Sequence, residues 1–447
     1  MSATSRQANA DTDVLVVGAG IAGLVAARQL SALGLSTIVL ERDDHVGGRI
    51  HTERKPGVYL EHGGIFHTHG YRATRRLLAE TGLTENVSAT PGGFHSAVLH
   101  NGTWKHLDYG SLLGPVRFSA LTWKDRLSVL RAALPALIAH PSDVGDLATL
   151  ARLDTRSAAD GLTTRAATYF TAGPHEFLWG TPSRNLSYAM LAMQLHVFKG
   201  ELREVKGGIG QLTDALAANL DIRTGVQADR VEHISHGVVA HLAGQHEPVS
   251  ARAAILACPA HQAAAIWPDA PAPERDHLTS IRYSRIDYVY FRTRDPLNLR
   301  HRQRPVGIEV ITEPEVGDTT MGGIYFANDW TDTGGLLLVT AAPHVHAEQL
   351  DDDTLANRLQ ADVERLHPDL TGQITERIVM RDHPYTPTFG AGSIQRLAIA
   401  RAHLPAGPID LAGDHMTAPW VEGAVRSGQQ AADRIATTLG ALPGSQS

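Results

Sequence analysis

Gly18, Gly20 and Gly23 are spaced as G-x-G-x-x-G, and Glu41 follows Gly23 by eighteen residues. These residue types in this order can hold a dinucleotide. Gly18 permits a tight turn, Gly20 presents bare backbone to a pyrophosphate, and Gly23 lets a helix pack close to a strand. A helix that starts at such a turn offers unpaired N–H groups and its positive dipole end to phosphate. A carboxylate placed as Glu41 is accepts hydrogen bonds from a ribose diol, and its charge argues against a 2′-phosphate there.

The elements that must place these residues flank the turn. Val14 to Val17 form a short apolar run, suited to a strand buried on both faces. Leu24, Ala27, Leu30 and Leu33 share one face of a helix that Gly34 ends. Ser36 to Leu40 make a second strand, which delivers Glu41. The run from Asp13 to Arg49 therefore reads as strand, turn, helix, strand.

Two further runs carry a resemblance. Asp43 to Arg49 read DDHVGGR, with a glycine pair and an arginine just past the ribose-binding acid. Near the other end, Ile409 begins IDLAGDHMTAPWVEGAV. Taken with the first turn, these resemble the motifs of FAD-dependent amine oxidases, protoporphyrinogen oxidases and phytoene desaturases, over about residues 13–436. The resemblance implies FAD, held by Gly18, Gly20, Ala22, Gly23, Glu41, Arg42, Gly48 and Arg49. It implies that Gly64, Ile65 and Phe66 approach the isoalloxazine and that Ala228 contacts the adenine side. It also places Gly413 and Asp414 on the ribityl and pyrophosphate region, with Val421 and Ala424 opening a helix toward the flavin. Tyr385, Phe389 and Trp420 are the implied substrate-pocket walls.

Length and composition set the frame. A chain of 447 residues with 43% hydrophobic and 19% charged residues reads as globular with more than one core-forming unit. A net charge of −7 argues against nucleic acid as a partner. The lone Cys258 excludes an internal disulfide and a cysteine-rich metal site, and reads as a small buried apolar residue rather than a nucleophile. The N-terminal residues lack a signal-peptide pattern and no run of about 18 apolar residues is present. A cytoplasmic location is the expectation.

The expected fold class is α/β, a Rossmann-like FAD-binding domain built from three segments with an interleaved α+β substrate domain. The cofactor segments are placed at 11–70, 200–260 and 401–440. Residues 71–199 form the helical part of the substrate domain and 261–400 its sheet part. Asn101-Gly102 signals a hairpin within the former. Leu127, Leu130, Leu134, Leu137 and Ile138 recur at helical spacing over 123–140. That helix is expected in the core of the substrate domain, with a membrane-surface helix as the competing reading.

The catalytic candidates are His67 and His69, which would share a strand face in a histidine-rich stretch. A general base in the substrate pocket is the role expected of them, in preference to metal ligation. Amine oxidases of the resembled group carry a lysine near the flavin N5, in a strand like Tyr283 to Phe291. This stretch and its approach contain Arg282, Arg285 and Asp287 but no lysine. The expected function is therefore an FAD-dependent oxidoreductase that removes hydride from a CH–CH bond of an apolar or polycyclic small molecule, with oxygen or another acceptor reoxidising the flavin. Amine oxidation is the alternative, and a non-catalytic FAD-binding partner subunit is a third.

Overall fold

The apolar run after Asp11 folds as the strand Thr12–Val17, buried along almost its whole length. In the computed structural model, residues 10–441 are described except 91, 92, 94, 112, 199, 200, 245, 246, 298, 299, 302, 303, 306, 312–318 and 406. Thr12–Val17 sits between Thr37–Leu40 and Val249–Leu256, parallel to both. Asp221–Arg223 extends the sheet beyond Thr37–Leu40, and Ile409–Leu411 runs parallel beside Val249–Leu256. The antiparallel strands Ala228–Ile234 and Gly237–Leu242 complete seven strands. Three distant stretches of chain thus build one sheet, and the α/β class is borne out.

Helix Ile21–Ala32 packs against the last helix, Val421–Thr438. Gly428 permits that approach, and Gly23 lets the first helix close on its own turn. A Cβ on Gly23 would lie 2.0 Å from the Gly18 carbonyl oxygen, and one on Gly428 would lie 2.3 Å from the Ala22 carbonyl oxygen.

A second seven-stranded sheet runs in the order Ile374–Asp382, Ile286–Thr293, Gly335–Ala341, Met321–Phe326, Ile308–Val310, His95–His100, Thr103–Asp108. The last two strands are the hairpin signalled by Asn101-Gly102, whose φ values are +48° and +66°. This hairpin belongs to the sheet, although the chain that follows it is helical. Strand alternation splits the sheet into two faces. Val289, Phe291, Ile324, Leu337 and Val339 pack under helix Asp352–Leu366 with Leu355, Leu359 and Val363. Tyr288, Tyr290 and Tyr325 point the other way, toward the first unit. The Tyr290 hydroxyl donates to the Glu61 carbonyl at 2.9 Å and accepts from the Glu61 amide at 3.1 Å. Glu204 accepts from the Tyr325 hydroxyl and the Trp330 indole N–H, each at 2.9 Å.

Helix Trp123–Ala139 corrects one expectation. Thr122 and Asp125 form a capping box at its start, and Pro135 does not end it. Its inward face consists of Asp125, Ser128, Val129, Ala132 and Ala136. Trp123, Leu127, Leu130, Leu134 and Ile138 face outward. The helix therefore docks through small residues, and its large apolar stripe is not core. The close neighbour is helix Tyr188–Val197, whose Tyr188 hydroxyl bonds the Ala132 carbonyl and the Ala136 amide.

Glu422, in the first turn of the last helix, is buried and caps a different helix. Its carboxylate accepts from the Ala73 amide, the Thr74 amide and the Thr74 hydroxyl, all at 2.9 Å, at the start of helix Arg72–Glu80. Replacing Glu422 with alanine leaves these buried donors without a partner. The expected loss is about 2 kcal/mol of stability. Equilibrium urea denaturation checks it, and an unchanged midpoint would refute the capping role.

Candidate active site

A cavity of about 800 Å³ opens where the glycine turn, the hairpin Ile50–Lys55/Val58–Gly63, the second sheet and the 177–198 stretch meet. One end is built from the first sheet. Gly18, Gly20, Ala22, Glu41, Arg42, Gly48 and Ala228 line it there, with Val226 and Gln227 beside Ala228. Gly23 does not line it and acts through packing instead. A Cβ built on Gly20 would meet nothing within 4 Å and project into open space, so bare backbone faces the cavity there. Glu41 is fixed at its strand end, accepting from the Ala19 amide at 2.7 Å and the Asp43 amide at 3.0 Å. The turn, the helix N-terminus and this carboxylate fit the diphosphate and ribose of a dinucleotide.

The middle of the cavity joins the two outlying motifs. Arg49 donates to both carboxylate oxygens of Asp414 at 2.8 Å and to the Tyr385 carbonyl at 2.7 Å. Burial works against the guanidinium charge, but Asp414 outweighs it and raises Arg49 above its usual value. Gly64, Ile65, Phe66, Gly413, Val421 and Ala424 also line this part. Cys258 lines the wall too, and burial pushes its thiol up to about 12, which leaves it neutral and unsuited to nucleophilic attack.

The far end is walled by the second sheet and the helical region. Ile286, Tyr288, Tyr325, Leu338 and Thr340 come from the sheet. Tyr71, Phe177, Leu178, Trp179 and Phe198 come from the helical region, and Tyr385 and Trp420 close the end. Trp420 lies with its ring centroid 5.3 Å from those of Trp179 and Phe198, which are 5.5 Å apart. Among the described residues, the second sheet and its edge add one guanidinium and one imidazole, Arg381 and His383, beside the tyrosine hydroxyls. Arg381 is committed to Asp352 at 2.7 Å, the Leu350 carbonyl at 2.8 Å and Asp287 at 3.3 Å. Asp287 itself faces away from the cavity, by the alternation that turns Ile286 and Tyr288 inward.

Three sequence-predicted residues lie elsewhere. His67 does not line the cavity although the residues just before it do, and its backbone pairs with Arg203. It is 1% exposed, and burial, with Arg203 and Arg75 adding to it, holds it down to about 4. His69 is exposed at the surface. Neither histidine reaches the cavity, which removes the geometric basis for their role as base. Phe389 is fully buried, with its carbonyl accepting from the Ser187 amide, and is core rather than wall. Trp179, Phe198 and the sheet residues were not legible beforehand, because no local pattern distinguishes a cavity aromatic from a core aromatic. Among the described residues, no three side chains converge as a metal-ligating group.

The geometry agrees with comparisons to known proteins. Residues 21–436 match the family described as flavin containing amine oxidoreductase. Coproporphyrinogen III oxidase of Propionibacterium freudenreichii subsp. freudenreichii is 33% identical over 167 residues, 36% of this chain and 31% of that protein. Putrescine oxidase of Kocuria rosea is 36% identical over 138 residues, 30% of this chain and 28% of that protein. The alignments thus span about a third of these relatives. The structure of cyclohexylamine oxidase from Brevibacterium oxydans superposes with a TM-score of 0.78 at 19% identity, covering 96% of this chain and 100% of that one, a likeness of fold. The chain belongs to the flavin-containing amine oxidoreductase family.

Proposed function

We propose that this enzyme dehydrogenates a CH–CH bond of a neutral, apolar, ring-bearing small molecule. The observation that carries this reading is the far end of the cavity. Its walls are mostly aromatic and aliphatic, with Arg381 and His383 at the sheet edge; the carboxylates that line the cavity, Glu41, Asp43, Glu53 and Asp414, come from other elements, and among the described residues no lysine lines it. A dicationic substrate would find no counter-charge at the far end, and desolvating it would be costly. Bound FAD supplies the hydride acceptor. The chain's own part is to hold the substrate in a dry, shaped space and to take up a proton. His383 supports that second task better than His67 or His69. It lines the cavity, its Nε2 lies 3.5 Å from Asp287 Oδ1, and burial and Arg285 lower it from its usual value so that it is neutral near pH 7.

One observation favours a second reading. The aromatic cluster of Trp179, Phe198 and Trp420 would suit a monoamine. The two readings separate in anaerobic titrations that follow the visible flavin absorbance. Apolar ring compounds are expected to bleach it and to yield a product two hydrogens lighter. Bleaching by primary or secondary amines, with a carbonyl product, would replace the first reading with the second.

A further inference from the structure

We infer that the outer face of helix Trp123–Ala139 docks on an anionic lipid surface. The helix carries its apolar residues on the wrong side for a core helix. Trp123 is 69% exposed, Leu134 57% and Ile138 73%, with Leu127 and Leu130 between them. Nine large apolar side chains stand exposed among the described residues. Five lie on this helix and a sixth, Leu113, precedes it. Their positions, 123, 127, 130, 134 and 138, make one stripe along the helix.

The helix cannot roll to hide them. Its inner face is pinned by the Tyr188 hydroxyl on Ala132 and Ala136. The Asp125 carboxylate accepts from the Thr163 hydroxyl at 2.6 Å, and the Ser128 hydroxyl accepts from the Thr163 amide at 3.2 Å.

Charge chooses the partner. Arg117, Lys124 and Arg131 are exposed around the stripe and Arg126 is half-buried. Between residues 109 and 142 the sole acid is Asp125, which is buried in the capping box. A chain of net charge −7 therefore concentrates cations around its largest exposed apolar stripe. An apolar helix face with Trp and Leu, flanked by Lys and Arg, is the arrangement that settles into the headgroup region of anionic membranes. A second copy of the chain fits less well, since a two-fold contact through this face would set the same cations against one another. Helix Tyr188–Val197, on which the docking helix rests, leads directly into the cavity wall Phe198.

Co-sedimentation of the full-length, FAD-loaded protein with vesicles tests this. Phosphatidylcholine vesicles containing phosphatidylglycerol are expected to pull the protein down, with weaker binding to phosphatidylcholine alone and release by salt. Combining Leu130→Glu, Leu134→Glu and Ile138→Glu should weaken binding by about tenfold or more. All three side chains are exposed, so the variant keeps its fold, which its bound-flavin spectrum verifies. Combining Lys124→Glu and Arg131→Glu should abolish the preference for anionic vesicles. Wild type left in the supernatant with both vesicle types would overturn the proposal, as would unchanged binding by the triple variant. Sedimentation velocity without vesicles provides the remaining outcome. A dimer that the triple variant dissociates would assign the face to a second copy and also overturn the proposal.

Discussion

Glu41→Ala is expected to purify largely without FAD, with affinity for added FAD reduced by about 100-fold or more, roughly 3 kcal/mol. Glu41 acts twice. Its Oε2 accepts from the Ala19 amide at 2.7 Å and so fixes the glycine turn. Its Oε1 accepts from the Asp43 amide at 3.0 Å and so fixes the chain that leads to Gly48 and Arg49. The same carboxylate lines the cavity, where its remaining lone pairs are available to a ribose. Alanine removes the ribose acceptor and leaves two backbone donors at the cavity edge without their charged partner. Hydrogen bonds to charged groups are each worth about 1.5–3 kcal/mol, and partial replacement by water brings the sum down to the figure above. Glu41→Gln keeps one acceptor oxygen and should fall between wild type and alanine. Calorimetric titration of the apoproteins with FAD measures this, with circular dichroism confirming that each variant folds. An alanine variant that retains stoichiometric FAD at wild-type affinity would show that the turn needs no carboxylate.

The residues of that prediction were legible because their code is local. A strand, a glycine turn, a helix and an acid at the next strand end lie within one short run, and each residue type has one physical reason to be there. Arg49 and Asp414 were legible singly, each within a motif, but their mutual ion pair spans 365 residues and only the fold brings it about. At the substrate end Tyr385 and Trp420 were legible from their motifs, and the rest was not, for a different reason. Trp179, Phe198 and Trp420 meet because a helical insert, its exit and the last helix converge. Burial of an aromatic ring against protein and against a cavity leaves the same sequence pattern. His67 failed by one position: Gly63 to Phe66 line the cavity in succession, and the chain leaves it where His67 pairs with Arg203. Helix Trp123–Ala139 failed on the assumption that the larger apolar stripe is the inner one. Its alanines and serine recur at helical spacing on the opposite face, and the tight approach of Tyr188 selects them.

Glu61→Gln is expected to remove a pH dependence of stability that wild type carries between about pH 4.5 and pH 7. Glu61 is 2% exposed, beneath the interface of the two sheets. Burial pushes its carboxyl up to about 7, against the hydrogen bonds it accepts from the Thr52 hydroxyl and the Ile209 amide, both at 2.7 Å. Nearby Glu204 adds to the rise. The folded protein thus holds this proton up to about pH 7, whereas the unfolded chain releases it near the ordinary glutamate value. In that window the folded state binds more protons, so stability falls as pH rises, by about 1.4 kcal/mol per unit and ~3 kcal/mol in all. Below the window both states are protonated and the full stability is present. Above it the loss is complete and flat. Buried imidazoles act in the opposite sense: His67, held down to about 4, costs stability as pH falls. Single-protein profiles therefore mix slopes, and the informative quantity is the difference between wild type and variant. Glutamine preserves size and can still accept from the Ile209 amide, so the two proteins should be of similar stability at pH 4.5. At pH 8 the glutamine variant should be more stable by about 3 kcal/mol, less any cost of its altered bond to Thr52. Urea denaturation of both proteins in saturating FAD at the two pH values gives that difference of differences. Parallel profiles would mean that Glu61 ionises alike in the folded and unfolded chains. A gap that opens with rising pH would mean that the joint between the two sheets contains a neutral carboxyl at acidic pH and an ionised, destabilising one above pH 7.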